Sequence, residues 1–297
     1  MKRNVIMAAV AALLLTGCQQ MSVNDMVEKP EGVPSKVFTF AVKGDFTTCF
    51  EEMTRAAVRL ENDNTAGITD IWVLDYSPSP TSPEGEGVLV QSVHQHVGDA
   101  DFGAPKMALA YGHHDIKLIA AKGDTPTLTA SALSWTKVKD TFVLDYPVDV
   151  VASSNGNRAP ELKRAISGLS VVVTDAIPIG AKTLVLTLGS RSQSLTLPGL
   201  SALPYSESSV ELDISSYVGK SGKTFGIYTL AGDEEWTSTA SIAVKKADGS
   251  IITSLELPDV SLKKNRMTTL TGEVFNRSNG FSVAIDDAWD TPLNSTF

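Results

Sequence analysis

Cysteine is nearly absent from this chain: its 297 residues hold two, Cys18 and Cys49. No framework of disulfides is available, so the fold must be held by apolar packing. Basic residues are outnumbered, 25 Lys and Arg against 34 Asp and Glu, for a formal net charge of −9. Nucleic acid is an unsuitable partner for so acidic a chain, because its phosphates require a basic face. Amphipathic helical stretches of the length that alternates with strands in doubly wound α/β proteins are missing, which excludes that class. No apolar run reaches the roughly 20 residues of a membrane-spanning helix.

One shorter apolar run does stand out. Residues 5–15 follow Lys2 and Arg3 and lead into Leu15-Thr16-Gly17-Cys18. A charged start, an apolar stretch and small residues before the cut are the parts of a secretory signal peptide, and the cysteine makes this one a lipobox. The expectation is that residues 1–17 are removed as a signal peptide. Cys18 would take a diacylglycerol on its sulfur before that cut and an acyl chain on its new amino terminus after it, in a Gram-negative-type envelope. Each buried methylene contributes about 0.8 kcal/mol to such an anchor. The mature chain would be more negative by the charges of Lys2 and Arg3, with Cys49 its one remaining thiol. Residues 18–36, polar and carrying Pro30, Gly32 and Pro34, read as a spacer between membrane and fold.

From there the apolar residues recur at every second position, the period of a half-buried strand. Residues 37–42 (VFTFAV) put Phe38, Phe40 and Val42 on one face. Residues 51–62 suit a short helix. Strands follow at 68–76, which Pro78 and Pro80 end, and at 88–97, 106–111, 116–121, 141–146 and 148–151. Ser153-Ser154-Asn155-Gly156-Asn157 is a run of turn formers that divides residues 37–154 from residues 155–297. The second part reads as strands at 165–174, 183–188, 210–214, 225–230, 241–245, 251–257, 267–275 and 281–285, with Asp248-Gly249 as a tight hairpin turn needing positive φ. Many short strands with turns between them predict an all-β fold of two β-sandwiches in tandem.

Catalytic patterns are missing: there is no G-x-S-x-G, H-E-x-x-H, C-x-x-C or G-x-x-x-x-G-K. His94 and His96 would share one strand face, a spacing open to a metal, while His113 and His114 would point to opposite faces. Two ligands fall short of a zinc site, and solvated or turn histidines are the simpler reading. Cys49 reads as a buried, inert thiol. The residues therefore predict a non-enzyme with no cofactor and no metal. Of the four tryptophans, Trp72 reads as core, whereas Trp135 and Trp236 sit in loop-like contexts and Trp289 near the end. Exposed, they would suit a surface glycan-binding lipoprotein, the reading from another class.

The order of elements resembles a known family. The lipobox, a first strand, Thr54-Arg55-Ala56, the strand Ile-Thr-Asp-Ile-Trp-Val-Leu-Asp-Tyr at 68–76 and Asp101-Phe102-Gly103 come in sequence. Leu-Lys-Arg-Ala-Ile at 162–166 and Leu-Lys-Lys-Asn-Arg-Met-Thr-Thr-Leu-Thr-Gly at 262–272 follow. Together they resemble the fimbrillin superfamily of Bacteroidales-type fimbriae, most closely its FimB-type anchoring subunits. The resemblance implies two transthyretin-like Greek-key sandwiches, other fimbrial subunits as partners, and an outer-membrane location through the lipid on Cys18. It also implies assembly by strand exchange, in which an arginine-directed protease removes the first strand and a neighbour's strand fills the groove. Carried over, the removable strand is residues 37–42, the candidate cut sites are Arg55 and Arg59, and the donor lies in residues 281–297. After Ile285 the chain runs through Asp286, Asp287, Asp290 and Pro292, with no long alternating apolar tail. That ending does not suit a stalk-type donor and fits an anchor or accessory subunit better; a stalk or tip subunit processed at Arg55 or Arg59 is the alternative.

Overall fold

The computed structural model describes residues 33–44, 46, 67–78, 87–276 and 281–286. In chain order the first strands are β1 (Ser35–Phe40), β2 (Asp70–Pro78), β3 (Gly87–His96), β4 (Lys106–Ala110), β5 (Gly112–Ala121), β6 (Thr127–Leu128), β7 (Ala132–Ser134) and β8 (Thr141–Val150). Next come β9 (Asn157–Arg158), β10 (Lys163–Arg164), β11 (Ile166–Val173), β12 (Thr183–Arg191), β13 (Ser194–Thr196), β14 (Ser201–Ala202) and β15 (Ser206–Asp213). The last are β16 (Lys223–Leu230), β17 (Glu235–Lys245), β18 (Ile251–Lys263), β19 (Met267–Gly272) and β20 (Phe281–Asp286). A single 3₁₀ turn, Ser215–Tyr217, is the one helical element among the described residues. The expected all-β architecture is what the chain adopts; the short helix expected at 51–62 lies outside the described residues.

The strands form layered sheets. A three-stranded sheet, β4-β1-β9, and a five-stranded sheet, β10-β8-β5-β2-β3, enclose one core, which includes Phe38, Phe40, Ile71, Val73, Met107, Ile116, Leu118 and Phe142. Two four-stranded sheets, β16-β11-β19-β20 and β15-β12-β17-β18, enclose a second, built on Leu169, Val171, Leu184, Leu186, Leu188, Ile242, Val244 and Leu270. The alternation read from the sequence is the cause: Leu184, Leu186 and Leu188 of β12 are each buried while the residues between them are half-exposed. Gly249 turns β17 into β18 at φ 82°, and Lys246 N–H donates to Ser250 O at 2.9 Å across the turn. Strands 141–146 and 148–151 of the sequence reading are one strand, β8. It runs through Pro147 because β10 pairs with β8 at Phe142 and Val143, so the missing N–H of Pro147 falls beyond that ladder.

A fifth sheet, β14-β13-β7-β6, joins strands of both halves. These two- and three-residue strands are too short to register as periodicity. Beneath them a third apolar cluster gathers Trp72, Leu74, Tyr76, Ile119 and Trp135 with Ile166, Leu195, Leu230 and Met267. Trp135, whose context in the sequence is loop-like, is 3% exposed within that cluster. Its backbone N–H donates at 2.9 Å to the carbonyl oxygen of Gln193, about sixty residues further along the chain.

Candidate functional site

β1 is the segment on which a strand-exchange site would have to be built. Its alternation places Phe38 and Phe40 at 0% exposure, with Val37 outward at 59%. It runs antiparallel to β4, from Ser35 opposite Ala110 to Thr39 opposite Lys106, and parallel to β9 at Thr39 and Phe40. Backbone pairing continues past the strand: Ala41 N–H donates to Arg158 O, Val42 N–H to Gly103 O and Lys43 N–H to Pro160 O, all between 2.9 and 3.0 Å. Gly156 is required beside it, since a Cβ there would overlap the carbonyl oxygen of Val37. Arg158 lies over the Phe38 ring at 5.0 Å. Both neighbours of β1 are remote in sequence, so the slot is walled by chain that does not depend on β1 for its connectivity.

The motifs that carried the family resemblance support this slot and the junction behind it. Gly103, at φ 93°, closes the Asp101-Phe102-Gly103 turn; Gln95 holds that turn by donating to Asp101 O at 2.9 Å and accepting from Gly103 N–H at 3.2 Å. Gly103 O then receives Val42. Arg164, in the Leu-Lys-Arg-Ala-Ile motif, is 5% exposed and forks onto Asp140 at 2.6 and 3.1 Å, stacks on Phe142 at 4.8 Å and reaches Asn265 Oδ1 at 3.3 Å. Asn265, at φ 57°, belongs to the terminal motif and donates its N–H to Ile166 O at 2.8 Å. Two motifs about a hundred residues apart thus meet at one contact. Nearby, Asp175 accepts from the N–H groups of Val274, Phe275 and Asn276 at 2.7 to 3.0 Å and ends the run that follows β19.

The histidines are placed by carboxylates. His94 and His96 do share a face, and both hydrogen-bond the same Asp70 Oδ1, at 2.8 and 3.2 Å. Burial pushes the Asp70 carboxyl up, but the bonds from His94, Thr69 and His96 outweigh it and hold its pKa below the usual value. His94 also stacks on Trp72 at 3.9 Å. His113 and His114 do diverge: His113 meets Asp149 at the surface, while His114 is buried between both oxygens of Asp75, each 2.9 Å away, and Ala110 O. The bond to Asp75 outweighs burial and raises the His114 pKa. Among the described residues no three His, Cys, Asp or Glu side chains converge as metal ligands. Cys18, Cys49, Arg55, Arg59 and Trp289 lie outside the described residues.

These features define a layered β protein with its first strand held in a slot. No family model matches the chain, and no curated protein matches it. Solved structures do. A protein from Bacteroides thetaiotaomicron described as polysaccharide-binding shares 9% identity over 85% of this chain and 96% of its own, at a TM-score of 0.51. The fimbrial anchor protein Mfa2 of Porphyromonas gingivalis shares 12% over 85% of this chain and 98% of its own, at a TM-score of 0.46. The tip fimbrial protein Mfa3 of the same organism shares 10% over 85% and 99%, at 0.43. At these identities the likeness is one of fold, carried by the first of the three; it does not single out a FimB-type branch.

Proposed function

We propose that this chain is a subunit of a surface fimbrium, FimB-like in being an anchor or accessory rather than a stalk or tip subunit, and tethered to the outer membrane through lipid on Cys18. It would consist of two transthyretin-like sandwiches, residues 37–154 and 155–297, behind a spacer of residues 18–36, and would act in adhesion without being an enzyme. The observation that carries the reading is the seating of β1. A terminal strand with two phenylalanines at 0% exposure, between walls contributed by residues far along the chain, is the geometry that strand exchange needs. Its removal would leave an apolar groove and two open edges, which must be filled to avoid aggregation. The lipobox and the motif order support the same reading, and fimbrial anchor and tip proteins stand among the neighbours in fold.

In-cell cross-linking followed by purification of the protein from its own host tests this. Fimbrial subunits are expected in the cross-linked species; recovery of the protein free of every fimbrial subunit would contradict the proposal. A surface glycan-binding lipoprotein is less well supported in the form expected from sequence, because Trp72 and Trp135 are buried and Trp236 is half-buried against the second core.

A further inference from the structure

The sandwich of the second half is open along one side, where β15 ends one sheet and β16 ends the other. A cleft of about 270 Å³ lies there, walled by Val210 and Leu212 of β15, Phe225 and Ile227 of β16, the ring of Tyr217, and Lys137 from the first half. Among the described residues no strand pairs with the outer edge of β16; Tyr228 O there accepts from Arg191 and Leu230 N–H donates to Ser192 O, while Thr224 and Gly226 line the cleft.

Arg191 is part of the lining. A β-bulge between Leu188 and Arg191 breaks the alternation of β12 and turns this residue inward, where it is 3% exposed. Its Nε donates to Tyr228 O at 2.8 Å and its Nη1 to Ser208 Oγ at 3.1 Å. Among the described residues no carboxylate pairs with it, and Nη2 has no acceptor. Burial pushes its pKa down to about 10, which still leaves it cationic at neutral pH. The one carboxylate in the lining, Asp213, is taken by Lys182 at 2.6 Å and by Ser215. Further positive charge stands at the rim, with Lys220 and Lys223 over Tyr217 at 5.8 and 5.6 Å. A buried, uncompensated guanidinium is costly to a fold, and an anion entering the cleft would compensate it.

We propose that this cleft binds a hexuronate residue of an acidic saccharide, with the sugar carboxylate on Arg191. Guanidinium–carboxylate pairing supplies directional, charge-assisted hydrogen bonds. The apolar walls and the Tyr217 ring accept the C–H face of a sugar, and the unpaired edge of β16 meets its hydroxyls. A peptide strand added to β15 is disfavoured because β15 presents Glu207, Glu211 and Asp213 along its exposed face, charges that guard an edge against pairing.

Calorimetric titration of the full chain with trigalacturonate and with its neutral methyl ester tests the assignment. The acid is expected to bind, the ester not measurably, and added salt to weaken binding. Arg191→Gln is expected to weaken it by roughly tenfold or more, since a hydrogen bond to a charged group contributes about 1.5–3 kcal/mol. Should that variant fail to fold, Lys137→Glu at the exposed rim is expected to weaken binding several-fold, and the Arg191 Nε–H resonance of the unaltered protein to shift on addition of the acid. Equal binding of acid and ester, no binding of either, or preferential binding of a peptide through its terminal carboxylate would overturn the proposal.

Discussion

At the scale of single residues, several buried charges are satisfied by a neighbour of opposite sign, whereas Arg191, among the described residues, is not. Lys117, 3% exposed, sits between Asp115 and Asp145 at 2.8 to 2.9 Å; Arg164 sits on Asp140. The His114–Asp75 pair has a consequence for pH. Because the folded pKa of His114 is raised above its unfolded value near 6.5, the protonated imidazole stabilises the fold. That contribution is complete below the unfolded pKa and is lost as pH rises through the folded one. Denaturant midpoints measured across this range should fall with rising pH, and His114→Asn should flatten the dependence; an unchanged slope in the variant would show that the pair does not carry it. The pairings of His114 and Arg164 were not legible in the sequence. Asp75 and His114 are 39 residues apart and Arg164 and Asp140 are 24 apart, and no local pattern links residues brought together by sheet register.

At the scale of elements, nearly every long strand was legible: by alternation where one face meets a core, as in β12, and as an apolar, β-branched run where both faces are buried, as in β2 and β11. Strands of two or three residues left no such trace. Neither did the bulge in β12, which made Arg191 an inward residue although the preceding leucines occupy the alternate positions. β1 is the element on which the functional reading turns. Phe40 is wholly buried and stands edge-on to Tyr146 at 6.4 Å. Phe40→Ala should therefore destabilise the protein by about 3–5 kcal/mol, the cost of emptying a core phenylalanine site. Chemical denaturation checks it, and a loss below about 1 kcal/mol would mean that β1 is only loosely seated. A β1 so firmly packed would not leave spontaneously.

At the scale of the whole molecule, the two cores are joined by a third apolar cluster, a shared short-stranded sheet and the Arg164–Asn265 contact. The pairing of β9 with β1 and of β10 with β8 carries the first set of sheets on to Arg164. The all-β class was legible, whereas the joining sheet was not, since it is made from segments about sixty residues apart. That the chain is a lipid-tethered subunit retaining β1 is tested by the intact mass of the protein recovered from its host's membranes. A mass of residues 18–297 plus lipid on Cys18 is the predicted result. A species beginning just after Arg55 or Arg59, with β1 and Cys18 gone, would contradict it and make the chain a stalk or tip subunit.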